Sequence, residues 1–190
     1  AQLGSILGQA APLGAILQDA AAALLAHLEV AFLRIWTLDD AEGVLVLRAS
    51  AGLYIHVDGL HARIPVGQWK IGRIATRRAP HLTNDVLNDP EISDVDWARR
   101  EGMVAFAGYP LLVEERLVGV VATFARHALD AVVLQELGAV ADGLAQCVER
   151  KRAEAALRAS EQRLRMMVDN AQHGLWDWEI ATGREDLDDR

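Results

Sequence analysis

The sequence predicts an α+β fold: a central antiparallel sheet of five or six strands flanked by helices, with a long C-terminal helix. Three patterns point to it. Apolar residues recur at helical spacing over 12–28. Two pairs of apolar and β-branched runs, within 30–50 and 103–125, each fold about a polar turn. No proline follows Pro110, so one helix can run from 131 to about 170, roughly 60 Å at the α-helical rise.

The elements follow in order. Residues 1–12 form an N-terminal segment. Leu13, Ile16, Leu17, Ala20, Leu24 and Leu28 make one helix stripe, and Pro12 suits a first helical turn. The period then changes, and Val30, Phe32, Ile35 and Thr37 read as a strand. A turn over 39–43 leads to a second strand, Val44–Ser50. Residues 51–67 are irregular and rich in Gly and His, with a short strand over 62–65. A helix is expected over 70–78 and a short strand over 80–83. Ser93 with Asp96 resembles a capping box for the next helix, and Gly102 suits its C-terminus. Met103–Val113 and Leu117–Ala125 flank Glu114-Glu115-Arg116 as a hairpin without the Asn-Gly that tight turns prefer. These strands are apolar at nearly every position, so both faces should be covered.

Asp130 caps the long helix, with Leu129 and Leu134 spaced as a hydrophobic staple. Leu137, Ala141, Leu144 and Val148 follow a 4-3-4 spacing, which Leu157, Ser160, Leu164 and Met167 resume after a slip. An amphipathic helix lying on its own sheet accounts for 131–148. It does not account for 150–168, which has no remaining sheet to cover. A parallel two-chain coiled coil is therefore expected, with Leu137, Ala141, Leu144, Val148, Leu157 and Leu164 on the dimer helix and a homodimer as the assembly.

Composition narrows the function classes. The chain has 190 residues, 52% hydrophobic and 24% charged, enough for one globular domain and something more. The net charge is −8, and the one basic cluster, Arg150-Lys151-Arg152, reads as a solvated helix face, so no nucleic-acid partner is expected. The single cysteine, Cys147, permits neither an intrachain disulfide nor a cysteine metal cluster and favours a reducing, cytoplasmic setting. No unbroken apolar run approaches a membrane span, and the N-terminus lacks the pattern of a signal peptide. Without an initiator Met, and ending at Asp188-Asp189-Arg190, the chain reads as a piece of a longer protein.

The order of elements and several short motifs resemble a GAF domain over 13–149. Gly67-Gln68-Trp69-Lys70-Ile71-Gly72-Arg73-Ile74-Ala75 resembles the family's G-x-x-G-x-x-A helix start. Pro80 through Val86 resembles its P-x-x-x-x-D-V segment, and Arg100-Glu101-Gly102-Met103-Val104-Ala105-Phe106 resembles its E-x-G strand entry, with Gly102 directly after Glu101. Tyr109-Pro110-Leu111 and Leu117-Val118-Gly119-Val120 resemble its second hairpin. A second resemblance begins further on. Ser160-Glu161-Gln162-Arg163-Leu164 through Asn170-Ala171, then Gly174-Leu175-Trp176-Asp177-Trp178-Glu179, looks like the opening of a PAS domain, which commonly follows an E-R-K-R-A-E helix, present here as Glu149–Glu154. The resemblance implies a coiled-coil signalling linker over 150–171 and a truncated, poorly ordered PAS start over 172–190. Such an arrangement implies the input module of a sensor histidine kinase in a two-component system, with downstream PAS and output domains. The alternative is a ligand-free structural dimerisation domain of a diguanylate cyclase or another signalling protein.

The resemblance implies a ligand between the sheet and the irregular middle segment. Tyr54, Trp69, His81, Asn84, Asp85, Trp97 and Phe106 are the candidate binding residues, aromatic walls with a few directional polar groups. Each has a plainer reading as core, or as a turn cap in the case of Asp85. Family chemistries divide by residue type. The N-K … F-x-x-x-D-E pattern of cyclic-nucleotide binders is missing. Covalent bilin is not expected with Cys147 on the last helix, and methionine sulfoxide reduction needs pocket cysteines. Haem would need His56, His61 or His81, each a lone loop histidine, and is not expected either. No Gly-x-Ser-x-Gly, P-loop or His-Glu-x-x-His appears, so neither catalytic residues nor a metal site are expected, and any kinase activity belongs to other domains of the parent.

Overall fold

Strand β1 (Phe32–Asp39) is buried on both faces over Phe32–Thr37, and the alternation of its side chains between two cores organises the protein. In the computed structural model, described for the backbone over 2–185 and for side chains over 3–169, Leu33 and Ile35 join one core while Phe32 and Trp36 join another on the opposite face. The other strands are β2 (Val44–Gly52), β3 (Arg63–Pro65), β4 (His81–Thr83), β5 (Ala105–Val113) and β6 (Arg116–Ala125). They form one antiparallel sheet in the order β3-β2-β1-β6-β5-β4.

One face is backed by helices α1 (Gln2–Leu7), α2 (Leu13–Leu28) and the first part of α5 (Ala131–Glu185). Leu17, Ala20, Leu24 and Leu28 of α2 and Leu137, Ala141, Leu144 and Val148 of α5 belong to one buried core on this face. Helix α1 lies in the segment that the sequence left unassigned. The opposite face is covered by α3 (Trp69–Arg77), a 3₁₀ turn at Val86–Asn88, α4 (Val95–Arg100) and the irregular chain between them.

Several local readings are corrected. Pro12 is the N-cap of α2, one place before the first turn. Asp94, rather than Ser93, caps α4 by accepting the Trp97 N–H at 2.7 Å. The β5–β6 turn does without Asn-Gly: Glu114 and Glu115 both take left-handed backbone (φ 48° and 67°), the handedness that matches strand twist. Asp130 does cap α5, accepting from Val132 N at 2.9 Å.

A one-residue bulge sets the geometry of the site. Ile35 pairs with Ala49 but Trp36 with Leu47, so Arg48 is extra on β2. Leu45 and Leu47 therefore face one core, while Ala49 and Ala51 face the other. Past the bulge the parity is reversed, and Ser50 comes opposite Arg34. Gly72 lets α3 close onto the sheet edge, since a Cβ there would stand 2.5 Å from Pro65 O.

The chain divides into two units, Ala1–Arg150 and Lys151–Arg190. In the second, Leu157, Leu164, Met166, Met167 and Val168 are exposed on the helix. The expected PAS opening, with Trp176 and Trp178, has its side chains outside the described residues. Judged by unbroken runs, the sequence offers no membrane span, yet within Ala131–Asp169 an 18-residue window reaches a mean hydropathy of 1.3, long and apolar enough to cross a membrane. Leu137, Ala141, Leu144 and Val148 in that stretch are core residues, which gives its apolar character a structural cause.

Candidate functional site

The covered face holds a partly open cavity of about 250 Å³. Its floor is the sheet: Phe32, Arg34 and Trp36 of β1, Phe106 of β5, and Ala122 and Phe124 of β6. Its walls are Tyr54, His56 and His61 from the irregular segment, Trp69 and Lys70 from α3, and Ile92, Ser93, Asp94 and Trp97 around the start of α4.

Seven of the residues lining it are Phe, Tyr or Trp. Phe32 stacks on Phe124 with centroids 5.2 Å apart, and Trp97 stands edge-on to both, 5.7 and 5.3 Å away. Trp97 Nε1 donates to Tyr54 Oη at 2.9 Å, and Trp36 Nε1 donates to His61 O at 2.9 Å. The first ties the irregular segment to α4, and the second ties it to β1 of the sheet. Trp69 tilts against His61 at 5.2 Å and holds a left-handed φ of 49°, a strained conformation for a bulky side chain.

Two buried cations border the cavity, and they differ. Lys70 is ion-paired to Asp89, lies 4.0 Å from Glu91, and sits over the Phe106 ring at 5.2 Å. Glu91 in turn binds Arg73 and Arg77 at 3.0 and 2.7 Å. Burial pushes the Asp89 carboxyl up, but the hydrogen bond from Lys70, the Glu91 N–H and the Lys70 charge together outweigh it, and the group is held below the usual range. Arg34, 9% exposed, donates from Nε to Ser50 Oγ at 3.2 Å. Its guanidinium lies 5.5 Å from the Phe32 ring centroid and 5.7 Å from that of Tyr54. Burial lowers its pKa, as it does for the neighbouring His61, which the charge of Arg34 depresses further.

Of the residues singled out from the sequence, Tyr54, Trp69, Trp97 and Phe106 come together here. Asn84 is not among the lining residues. Its amide clamps the start of α5, with Nδ2 donating to Leu129 O and Leu129 N donating to Oδ1, both at 2.8 Å. His81 and Asp85 border a separate shallow groove with Asn88 and Asp89. Asp85 receives the Asn88 amide at 2.9 Å, a local turn bond. The assignment of Leu137, Ala141, Leu144 and Val148 to a dimer seam is also corrected, because the protein's own sheet and α2 occupy those side chains. Cys147 is buried on α5 and does not line the cavity.

Arg34, Lys70, Phe32 and Phe124 were missed. A signal for the first existed: an arginine at an alternate position between two aromatics in an otherwise apolar strand.

An antiparallel sheet backed by helices on one face, with a partly open cavity on the other, defines an α+β domain class. The chain belongs to the GAF domain family, whose model matches residues 10–149. It is similar in fold to free methionine-R-sulfoxide reductase from Neisseria meningitidis, solved with its substrate (21% identity, 80% of this chain and 87% of that one, TM-score 0.68). It is also similar to the GAF domain of a phosphoenolpyruvate-protein phosphotransferase from Coxiella burnetii (22%, 82% and 93%, TM-score 0.71). A third similar structure is a methyl-accepting chemotaxis protein, residues 122 to 287 (21%, 80% and 98%, TM-score 0.64). No curated protein sequence matches. GAF domains of this fold thus occur in signalling proteins.

Proposed function

We propose that this chain is the sensory input module of a cytoplasmic signalling protein, a sensor histidine kinase in our reading, and that its cavity binds a small molecule. The observation that carries the reading is the cavity itself, walled by aromatic rings and joined to the irregular segment by two indole hydrogen bonds. A ligand there would touch the sheet, α3 and α4 at once, so its binding energy can bias the arrangement of that segment. The reductase-like neighbour suggests catalysis as a second use of the fold, but no cysteine lines this cavity.

The proposal includes a homodimer through the second unit. Leu157, Leu164 and Met167 are exposed at coiled-coil spacing, a seam that matches a second copy of itself. Native mass spectrometry tests both parts. The expected spectrum is a dimer with a reproducible added mass that disappears in Ala122→Phe, which fills the cavity floor. A bare wild-type spectrum, with no metabolite extract raising Tm, overturns ligand sensing; a monomer overturns the seam.

A further inference from the structure

Arg34 carries a charge that the fold leaves uncompensated. No carboxylate of the described residues comes within ion-pairing distance of its guanidinium. Its Nη groups donate to no acceptor among those residues either, since its hydrogen bonding ends with Nε to Ser50. A buried cation without a counter-ion is costly, and proteins retain one where it has a use. The other charges of the wall are engaged: Lys70 with Asp89, Glu91 with Arg73 and Arg77, and Asp94 as the cap of α4.

The guanidinium is also held in place. Ser50 Oγ accepts from Nε and donates to Tyr54 O at 2.6 Å, while Gln18 brackets the Ser50 backbone at 2.8 and 3.1 Å. With Nε fixed, the paired Nη groups are the free donors, and that edge matches the two oxygens of one carboxylate. One positive charge balances a carboxylate but leaves a phosphate dianion half-compensated among apolar walls.

Resting on the ligand-sensing reading above, we propose that the cavity's ligand is a small organic carboxylate with an apolar or aromatic body, its carboxylate on Arg34 and its body against Tyr54 and Trp97. Trp69 and the segment carrying Tyr54 then form the wall that meets the body, and Arg34 sets the sign of the charge accepted.

The test uses the full chain and three probes: benzoate, its neutral isostere benzamide, and inorganic phosphate, with the indole N–H resonances of Trp69 and Trp97 as reporters. Benzoate should shift both saturably and bind about ten- to a hundredfold tighter than benzamide, the range for hydrogen bonds to a charged group. Arg34→Met should abolish that preference and raise Tm by about 2–4 °C, because it removes the unpaired charge. Arg34→Gln should also lose the preference, which covers the case of a Met variant that misfolds. Equal binding of benzoate and benzamide overturns the anion proposal and leaves ligand binding standing, and so does tighter binding of phosphate. A Tm lowered in both variants makes Arg34 structural and also overturns it. If no probe moves either indole, the carboxylate proposal falls, and ligand sensing falls with it only where the native mass spectrum is bare as well.

Discussion

Replacing Lys70 tests whether the ionic cluster beside the cavity is a buried element or a solvated one. Its side chain is 4% exposed, and those of Asp89 and Glu91 are 10% and 12%. Lys70→Met removes the cation and leaves both carboxylates in place. Breaking a buried pair in this way costs about 3–5 kcal/mol, against less than about 1 kcal/mol for an exposed pair. The lower end applies here for two reasons. Asp89 keeps the Glu91 N–H on Oδ1 at 2.9 Å, and Glu91 keeps Arg73 and Arg77. At about 3 kcal/mol, with about 2–4 °C per kcal/mol for a chain of this size, Tm should fall by about 6–12 °C. Thermal unfolding followed by Trp fluorescence reads this out. Adding Asp89→Asn should recover more than half of the loss, since the stranded charge goes with it. His81 supplies an independent check. Burial lowers its pKa, and Lys70 lowers it further, so the Lys70→Met variant should titrate at higher pH by NMR. A Tm change under about 2 °C, with His81 unmoved, refutes the burial argument.

Other consequences follow from single contacts. Asn84→Ala removes both bonds to Leu129 and should cost about 1–2 kcal/mol by urea unfolding, with probe binding at the cavity unchanged. Leu144→Ala opens a hole between α5 and the sheet and should cost about 2–5 kcal/mol, whereas Leu157→Glu should leave first-unit stability unchanged and alter only the native mass. Glu115→Gly relieves a left-handed glutamate and should gain up to about 1 kcal/mol; a loss would mean the side chain has a role of its own. On acidification, His81, whose folded pKa lies below its unfolded value, contributes stability that is present above about pH 6.5 and lost as pH falls through the folded value. Asp89 and Glu91, also depressed, lose theirs below about pH 4. His81→Gln should flatten the first of these windows, and identical urea midpoints from pH 7 to 5 in both proteins would contradict it.

Local pattern alone determined the helix over Leu13–Leu28, both hairpins, the Asp130 cap and the glycine-marked start of α3, because periodicity, turn residues and caps act within a few positions of themselves. It also brought Tyr54, Trp69, Trp97 and Phe106 forward as candidates, since aromatics in an irregular segment stand out against apolar strands. Tertiary structure decided the rest. Whether Leu137 and Leu144 meet a sheet or a second chain depends on an apolar face whose partner the periodicity does not name. Asn84 becomes a clamp only because Leu129 arrives beside it from 45 positions away. Arg34 meets Ser50 only because one extra residue, Arg48, reverses the side-chain parity of β2. Strand alternation put Arg34 on a face; the bulge, a property of pairing between distant segments, decided what that face would hold.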